Sequence, residues 1–344
     1  MEKSIIDITI LETGMKLAEN ILDSKGNIII YENTVLTSYI IDLFKSNKID
    51  NVCIYSEKKL NIDRKEIFED FYKNGIRFLK NIFNIVITEK IIDTKKVDKL
   101  TLNVFDFIDC KELIINKINK EISIENYIYF HTLNVSLLSM LIAKWLNKND
   151  TCIKDIIKAS LLHDLGMIRV PKYIQNKENR LFDNEFKEIM KHPVYGFRLI
   201  KENTNYSNDI MSAVLMHHEK EDGTGYPVGL KSEKIHIYAK IIIISDVYNA
   251  MVSKRSYRTK HSPFKVLNLF KNESIGVYDH KTIGVFLNNI SSYYIGSKIM
   301  LSDGQIGEVV HINEMTVSKP IIKINDEIFD LSKYKDIEII QIIT

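Results

Sequence analysis

Residues 131–145 read HTLNVSLLSMLIAKW, and this stretch decides the architecture. Val135, Leu138, Leu141, Ile142 and Trp145 recur at the three-and-four spacing of one helical face, behind a polar His131. Outward from it, through 121–290, helical spacing dominates and no alternation of period two is sustained. A helical bundle is predicted there. Eight of the nine histidines lie between His131 and His280, and the first 130 residues hold none.

The flanks differ in kind. Residues 1–60 read as a small α/β module. Ile5 to Ile10 alternates weakly, Asn27 to Ile30 is β-rich after Ser24, Lys25 and Gly26, and Val52 to Tyr55 is a further strand. Between them Thr37 can cap a helix to about Asn47, with Ile40, Ile41, Leu43 and Phe44 as its apolar stripe. Residues 61–120 contain Phe68, Phe71, Ile76, Phe78, Leu79 and Ile82 at helical spacing, which predicts a helical connector, either packed on its neighbours or offering a surface for a homodimer. Residues 293–344 turn to period two. Lys298 to Leu301, a turn at Ser302-Asp303-Gly304 and Ile306 to Ile312 read as a hairpin, with strands at Pro320 to Ile324 and Ile337 to Ile343. The expected fold class is mainly α, with a small N-terminal α/β module, a helical domain over 121–292 and a small C-terminal β module.

Composition narrows the function. At 344 residues, 45% hydrophobic and 27% charged, the chain has ordinary globular composition and room for several domains. Lys+Arg 47 against Asp+Glu 45 leaves +2, so no bulk positive field points to a nucleic-acid polymer. Cys53, Cys110 and Cys152 are odd in number and lack CxxC spacing, which fits a reducing compartment. Asp7 interrupts the apolar N-terminal run and no stretch reaches bilayer length. A cytoplasmic protein without a membrane partner is expected.

Two motifs stand out chemically. Ala159-Ser160-Leu161-Leu162 runs straight into His163-Asp164, after which Leu165-Gly166 breaks the helix. On its own a His-Asp pair is more often a cap or a surface pair. At an apolar helix end it needs a strong partner, because buried unpaired charge is costly. Adjacent His217 and His218 point about 100° apart on a helix, so both face one site only near its end. Taken alone they too are more often solvent-facing. His131 and His192 are ambiguous singly, while Asp246 sits in the apolar run Ile241-Ile242-Ile243-Ile244-Ser245-Asp246 and wants a cation or strong donors. Five imidazoles and two carboxylates, without thiolate, suit Fe, Mn or Zn. Seven ligands exceed one tetrahedral ion and suit two ions that share Asp164 and clamp a phosphoryl group.

The ordered motifs resemble the HD-GYP family, the HD-superfamily phosphohydrolases that cleave cyclic di-GMP. They are His131-Thr-Leu-Asn-Val135, His163-Asp164-Leu-Gly-Met167, His192-Pro-Val-Tyr-Gly196, His217-His218-Glu219, Asp222-Gly223-Thr-Gly225-Tyr226-Pro227, and Asp246-Val-Tyr-Asn-Ala250 with Arg255-Ser-Tyr-Arg258. The resemblance implies an HD-type bundle. It also implies one metal on His131, His163, Asp164 and Asp246, and a second on Asp164, His192, His217 and His218. His163 and Asp164 would be catalytic, holding the hydroxide between the metals. Gly225, Tyr226 and Pro227 would frame the substrate mouth, and Arg255 and Arg258 would contact phosphate. The expected activity is hydrolysis of cyclic di-GMP to pGpG or GMP, with two divalent ions, Fe or Mn and with Zn admissible.

Three departures qualify the resemblance. Met167 stands where the family usually has Lys, and Arg169 or Lys172 would have to substitute for it. Asn249 stands where Asp is usual, a change expected to weaken a contact behind the ligands and not a ligand itself. Tyr127 occupies the position where some members place a Glu for a third metal, so two metals are expected. Two rival functions follow: a catalytically weak cyclic di-GMP receptor, suggested by Met167, and a hydrolase of another cyclic dinucleotide.

Overall fold

The computed structural model describes residues 3–11, 15–22, 26, 28–34, 36, 38–47, 49–55, 57–119, 126–175, 177, 179–253, 261–272, 275–313, 316–325, 327–334 and 336–343. Two compact units divide between Asp70 and Phe71.

The first unit contains β1 (Lys3–Asp7), β2 (Lys16–Leu17), β3 (Ile21–Leu22), β4 (Ile28–Ile30), α1 (Ser38–Ser46) and β5 (Asn51–Tyr55). An antiparallel sheet has the order β1-β5-β2, and β3 pairs with β4. Leu17, Ile30, Leu36, Ile41, Phe44, Val52 and Ile54 form its core. Ile8 to Ile10 coil into a 3-10 turn instead of extending the first strand. The reason is register. β5 begins opposite Asp7, so the ladder runs out and Ile8 N–H bonds the Asp50 carbonyl at 2.9 Å. Thr37 lies outside the described residues.

Helix α2 (Glu57–Glu89) runs across the division. The second unit continues with α3 (Thr94–Phe105), α4 (Lys111–Ile118), α5 (Tyr127–Trp145), α6 (Asp150–Leu162), α7 (Lys172–Gln175), α8 (Asp183–Ile189), α9 (His192–Asn203), α10 (Asn208–Met216), α11 (Ile237–Val252), α12 (Pro263–Asn272) and α13 (His280–Ser291). Asn149, Ser207 and Asp279 cap α6, α10 and α13 by accepting a backbone N–H.

Helix α5 is the centre. The predicted apolar stripe understates its burial, because every residue from His131 to Ala143 is buried. It is packed by α4, α6, α11 and α13. Each fully buried Leu, Ile or Val there contributes at most about 1.5–3 kcal/mol. Two of its buried polar side chains find partners at neighbouring helices: Ser139 donates to Ser245 Oγ (2.9 Å), and Tyr72 donates to Asn134 Oδ1 (2.7 Å). Within 61–120, α3 packs on α6 and α4 on α5.

A five-stranded antiparallel sheet follows, ordered β10-β6-β7-β8-β9, from β6 (Lys298–Leu301), β7 (Ile306–His311), β8 (Ile321–Ile324), β9 (Glu327–Asp330) and β10 (Ile339–Ile343). The sequence reading missed β9, whose Glu-Ile-Phe-Asp carries few apolar residues; it pairs with β8 after Asn325 takes φ +47°. A buried hydroxyl cluster ties the helices to the stretch leading into this sheet. Tyr248 of α11 and Tyr294 share a short hydrogen bond, and Asn119 Nδ2 donates to Tyr294 at 3.1 Å. Among the described residues no helix is long and apolar enough to cross a membrane, and Cys53, Cys110 and Cys152 form no disulfide.

Candidate metal centre

Four helix ends and one helix interior bring seven side chains together. His131 lies near the start of α5, His163 caps the end of α6, and Asp164 opens the 3-10 turn Leu165–Arg169. His192 is the first residue of α9, His217 caps the end of α10 with His218 next, and Asp246 lies inside α11. Gly166 makes the crossing of that turn with α9 tight. A Cβ there would lie 2.0 Å from the His192 carbonyl oxygen and 2.5 Å from Gly196 N.

Asp164 divides its oxygens between two groups. Oδ1 lies 3.2 Å from His192 Nε2 and 3.9 Å from His217 Nε2. Oδ2 lies 3.4 Å from His163 Nε2 and 3.8 Å from His131 Nε2. Ligand atoms of Asp164, His192, His217 and His218 fall within 4.8 Å of one another, as do those of His131, His163 and Asp164. Asp246 joins by its own two oxygens, with Oδ1 3.0 Å from His131 Nε2 and Oδ2 3.7 Å from His218 Nδ1.

The imidazoles are oriented as metal ligands. Nδ1 of His163, His192 and His217 each faces the backbone carbonyl three residues back, Ser160, Ile189 and Val214, at 2.7 Å. A carbonyl only accepts, so each Nδ1 carries the proton and each Nε2 presents a lone pair inward. His192 Nε2 and His217 Nε2 then stand 3.1 Å apart with lone pairs opposed, and His163 Nε2 is buried without a hydrogen-bond partner. Opposed lone pairs and an orphaned buried nitrogen are what a cation would satisfy. The nitrogen and oxygen donor set fits a divalent transition ion, and the residues present therefore fit a metal.

Electrostatics agree with this at His217 and His218, and differ at His163. Burial holds His217 well below the usual imidazole range, and the adjacent imidazoles push it the same way. Burial takes His218 down to about 3. Burial would also lower His163, but the Asp164 charge outweighs it and raises that ring to about 9, so a cation at its Nε2 would have to displace a proton. For Asp164 burial opposes ionisation, yet His163 and His192 hold it well below the carboxylate range. Solvent reaches the centre at Asp164, 17% exposed, and at His218, 25% exposed.

At that opening the Tyr226 ring lies 4.7 Å from the His218 ring. Gly225 crosses over the Glu219-Lys220 backbone so closely that a Cβ would lie 2.4 Å from Lys220 N. Val228, next to Pro227, is exposed. Met167 is half-buried, with its N–H on the Asp164 carbonyl at 2.9 Å, while Arg169 and Lys172 are exposed. Arg255 and Arg258 lie outside the described residues.

Sequence reasoning gave Asn249 only a vague supporting part. It stands three residues after Asp246 on the same helix face, and its Oδ1 accepts from His131 Nδ1 at 2.8 Å. That bond leaves His131 Nε2 facing the carboxylates. Tyr127 stacks on His131 with ring centroids 5.4 Å apart. Glu219, third residue of the His217-His218-Glu219 motif, is fully buried.

Residues 113–281 match the family model described as HD domain. The chain is 31% identical over 200 residues to a cyclic di-GMP phosphodiesterase of Pseudomonas aeruginosa, covering 58% of this chain and 48% of that protein. It is 30% identical over 169 residues to a 3'3'-cGAMP-specific phosphodiesterase of Vibrio cholerae, covering 49% of this chain and 39% of that protein. The chain thus spans about half the length, or less, of these relatives. Among solved structures, an HDG"Y"P protein from Bdellovibrio bacteriovorus superposes with TM-score 0.52 at 14% identity, covering 84% of this chain and 99% of that one; the likeness is one of fold.

Proposed function

We propose that residues 113–281, which match the HD domain family model, form a metal-dependent phosphodiesterase that hydrolyses cyclic di-GMP to pGpG or GMP. The observation that carries the proposal is the division of Asp164, with Oδ1 turned to His192 and His217 and Oδ2 to His131 and His163. In this reading His131, His163, Asp164 and Asp246 hold one divalent ion, and Asp164, His192, His217 and His218 hold the other, Fe or Mn and with Zn admissible. Two such ions supply Lewis acidity at the phosphoryl oxygens and bring the pKa of water toward neutrality.

The chain itself supplies positioning. The backbone carbonyls of Ser160, Ile189 and Val214 fix three rings by their Nδ1 protons, so their Nε2 atoms need no reorganisation. Buried His217 stays neutral, as a ligand must. Gly225, Tyr226 and Pro227 wall the opening at His218, and Arg255 and Arg258 are assigned phosphate contact by motif. Residues 1–60 are proposed as a regulatory module and 61–120 as a connector with a homodimer surface, in a cytoplasmic protein.

Metal analysis and product chromatography on one purified sample test the proposal. Protein loaded with Fe(II) or Mn(II) should turn over cyclic di-GMP. Full metal occupancy without product would overturn hydrolysis.

Met167 favours a second reading, a receptor that binds cyclic di-GMP and cleaves it slowly. Its apolar side chain starts one turn beyond Asp164, where a cation would meet developing negative charge. Met167→Lys is therefore expected to raise kcat by about 10²-fold, read in single-turnover assays at equal metal content. An unchanged rate would remove Met167 as the reason for slow turnover. The similarity to a 3'3'-cGAMP-specific enzyme makes a competition assay between the two cyclic dinucleotides the test of substrate choice.

A further inference from the structure

We propose that Glu219 is a positioning residue: its carboxylate is the internal anion around which the loop 219–230 folds, and this holds Tyr226 against His218 at the substrate opening. The proposal rests on the phosphodiesterase reading only for its kinetic consequence.

A fully buried carboxylate requires strong donors. Glu219 is 0% exposed. Its donors are main-chain amides of its own loop. Oε1 accepts from Val228 N at 2.8 Å and Gly229 N at 3.2 Å, and Oε2 accepts from Leu230 N at 2.8 Å. Three successive N–H groups converging on one carboxylate make an anion nest, with the anion supplied by the chain. Both oxygens are used, on different amides, so the side chain fixes the loop in orientation as well as in place.

The fold around it leaves little slack. Glu219 N–H bonds the Met216 carbonyl at 2.9 Å, which sets its backbone at the end of α10. Tyr226 N–H bonds the His218 carbonyl at 3.1 Å, and a Cβ on Gly225 would lie 2.5 Å from Glu219 Cα. The chain therefore passes out from His218, turns, and returns across Glu219 to lay the Tyr226 ring 4.7 Å from the His218 ring. The base of the loop is pinned separately. Lys240 of α11 pairs with Glu221 at 2.8 Å and Asp279 at 3.1 Å. With its base held by Glu221, the tip that carries Tyr226 and Pro227 depends on Glu219.

Glu219→Gln tests this with little change of volume. One end of the amide is an NH₂ group, which must face a backbone N–H and repel it. In the full-length protein two readouts are expected. Hydrogen exchange of the Val228, Gly229 and Leu230 amides should accelerate at least about 10-fold. KM for cyclic di-GMP should rise about 10-fold, with metal content unchanged and kcat within about 3-fold of wild type. A residue that only supported the fold would lower the active fraction and kcat and leave KM alone. Glu219→Asp, which keeps the charge, should recover part of both effects and serves if Glu219→Gln folds poorly. Unchanged protection of these three amides in Glu219→Gln, or an unchanged KM, would overturn the proposal. Exchange reads the loop without substrate, so a wild-type protein inactive on cyclic di-GMP would sink the phosphodiesterase reading and leave this test standing.

Discussion

Asp164→Asn should abolish turnover of cyclic di-GMP, by on the order of 10³-fold or more, and reduce bound metal below two ions per chain. The substitution keeps the shape of the side chain and removes its charge. It also replaces one acceptor oxygen by a donor NH₂. Oδ1 and Oδ2 face different imidazole groups, at 3.2 Å from His192 Nε2 and 3.4 Å from His163 Nε2, so either placement of the amide turns a donor on one group. Loss of an outer partner of a metal ligand costs about 10–100-fold. A ligand common to two groups should cost more, because both groups lose charge at once. The measurement is metal content by elemental analysis beside turnover. Two ions per chain with wild-type turnover would show that Asp164 bridges nothing.

The largest loss of stability is expected from Gly166→Ala. The added Cβ would lie 2.0 Å from the His192 carbonyl oxygen and 2.9 Å from its carbon, both backbone atoms that cannot rotate away. Relief requires the turn after α6 to separate from α9. Overpacking usually costs about 1–3 kcal/mol, and a backbone collision at this distance should exceed that range. Gly196→Ala across the same crossing is the control. Its Cβ meets the Val214 Cγ1 at 3.1 Å, a side chain that can shift, and it should cost less than about 1.5 kcal/mol. Chemical denaturation separates the two. Equal stabilities for both variants would mean that the crossing is looser than its geometry. Because His163 and Asp164 lie on one side of this contact and His192 on the other, Gly166→Ala should also weaken metal retention.

How much of this was legible in the sequence depended on whether the cause was local. The helices showed because the apolar spacing at Val135, Leu138, Leu141 and Ile142 is local. The burial of α5 on all sides did not, since a helix that is apolar all round has no stripe to reveal its neighbours. The coiling of Ile8 to Ile10 was hidden because it depends on where β5 begins opposite β1. The seven clustered residues stood out as polar groups at apolar helix ends, an anomaly of composition. Glu219 gave no such anomaly, because an acid after two histidines and before Lys220 reads as surface; its partners are amides nine to eleven residues away. Gly166 looked like a helix breaker, and only the crossing with α9 shows that it is a spacer. Asn249 showed as a supporting position, but its partner His131 did not, because the two lie 118 residues apart in the chain.

The hydroxyl cluster of Tyr248, Tyr294 and Asn119 gives the terminal sheet a stake in the pocket. Tyr248 follows Asp246 by two positions on α11, and its oxygen is buried against Tyr294, just ahead of β6. Cutting the chain ahead of Tyr294 would strip this phenol of its nearest partner, a cost of about 1–3 kcal/mol, felt less than one turn from a proposed ligand. The last fifty residues are thus a buttress for the chemistry, and trimming them is a change to the pocket as much as to the tail.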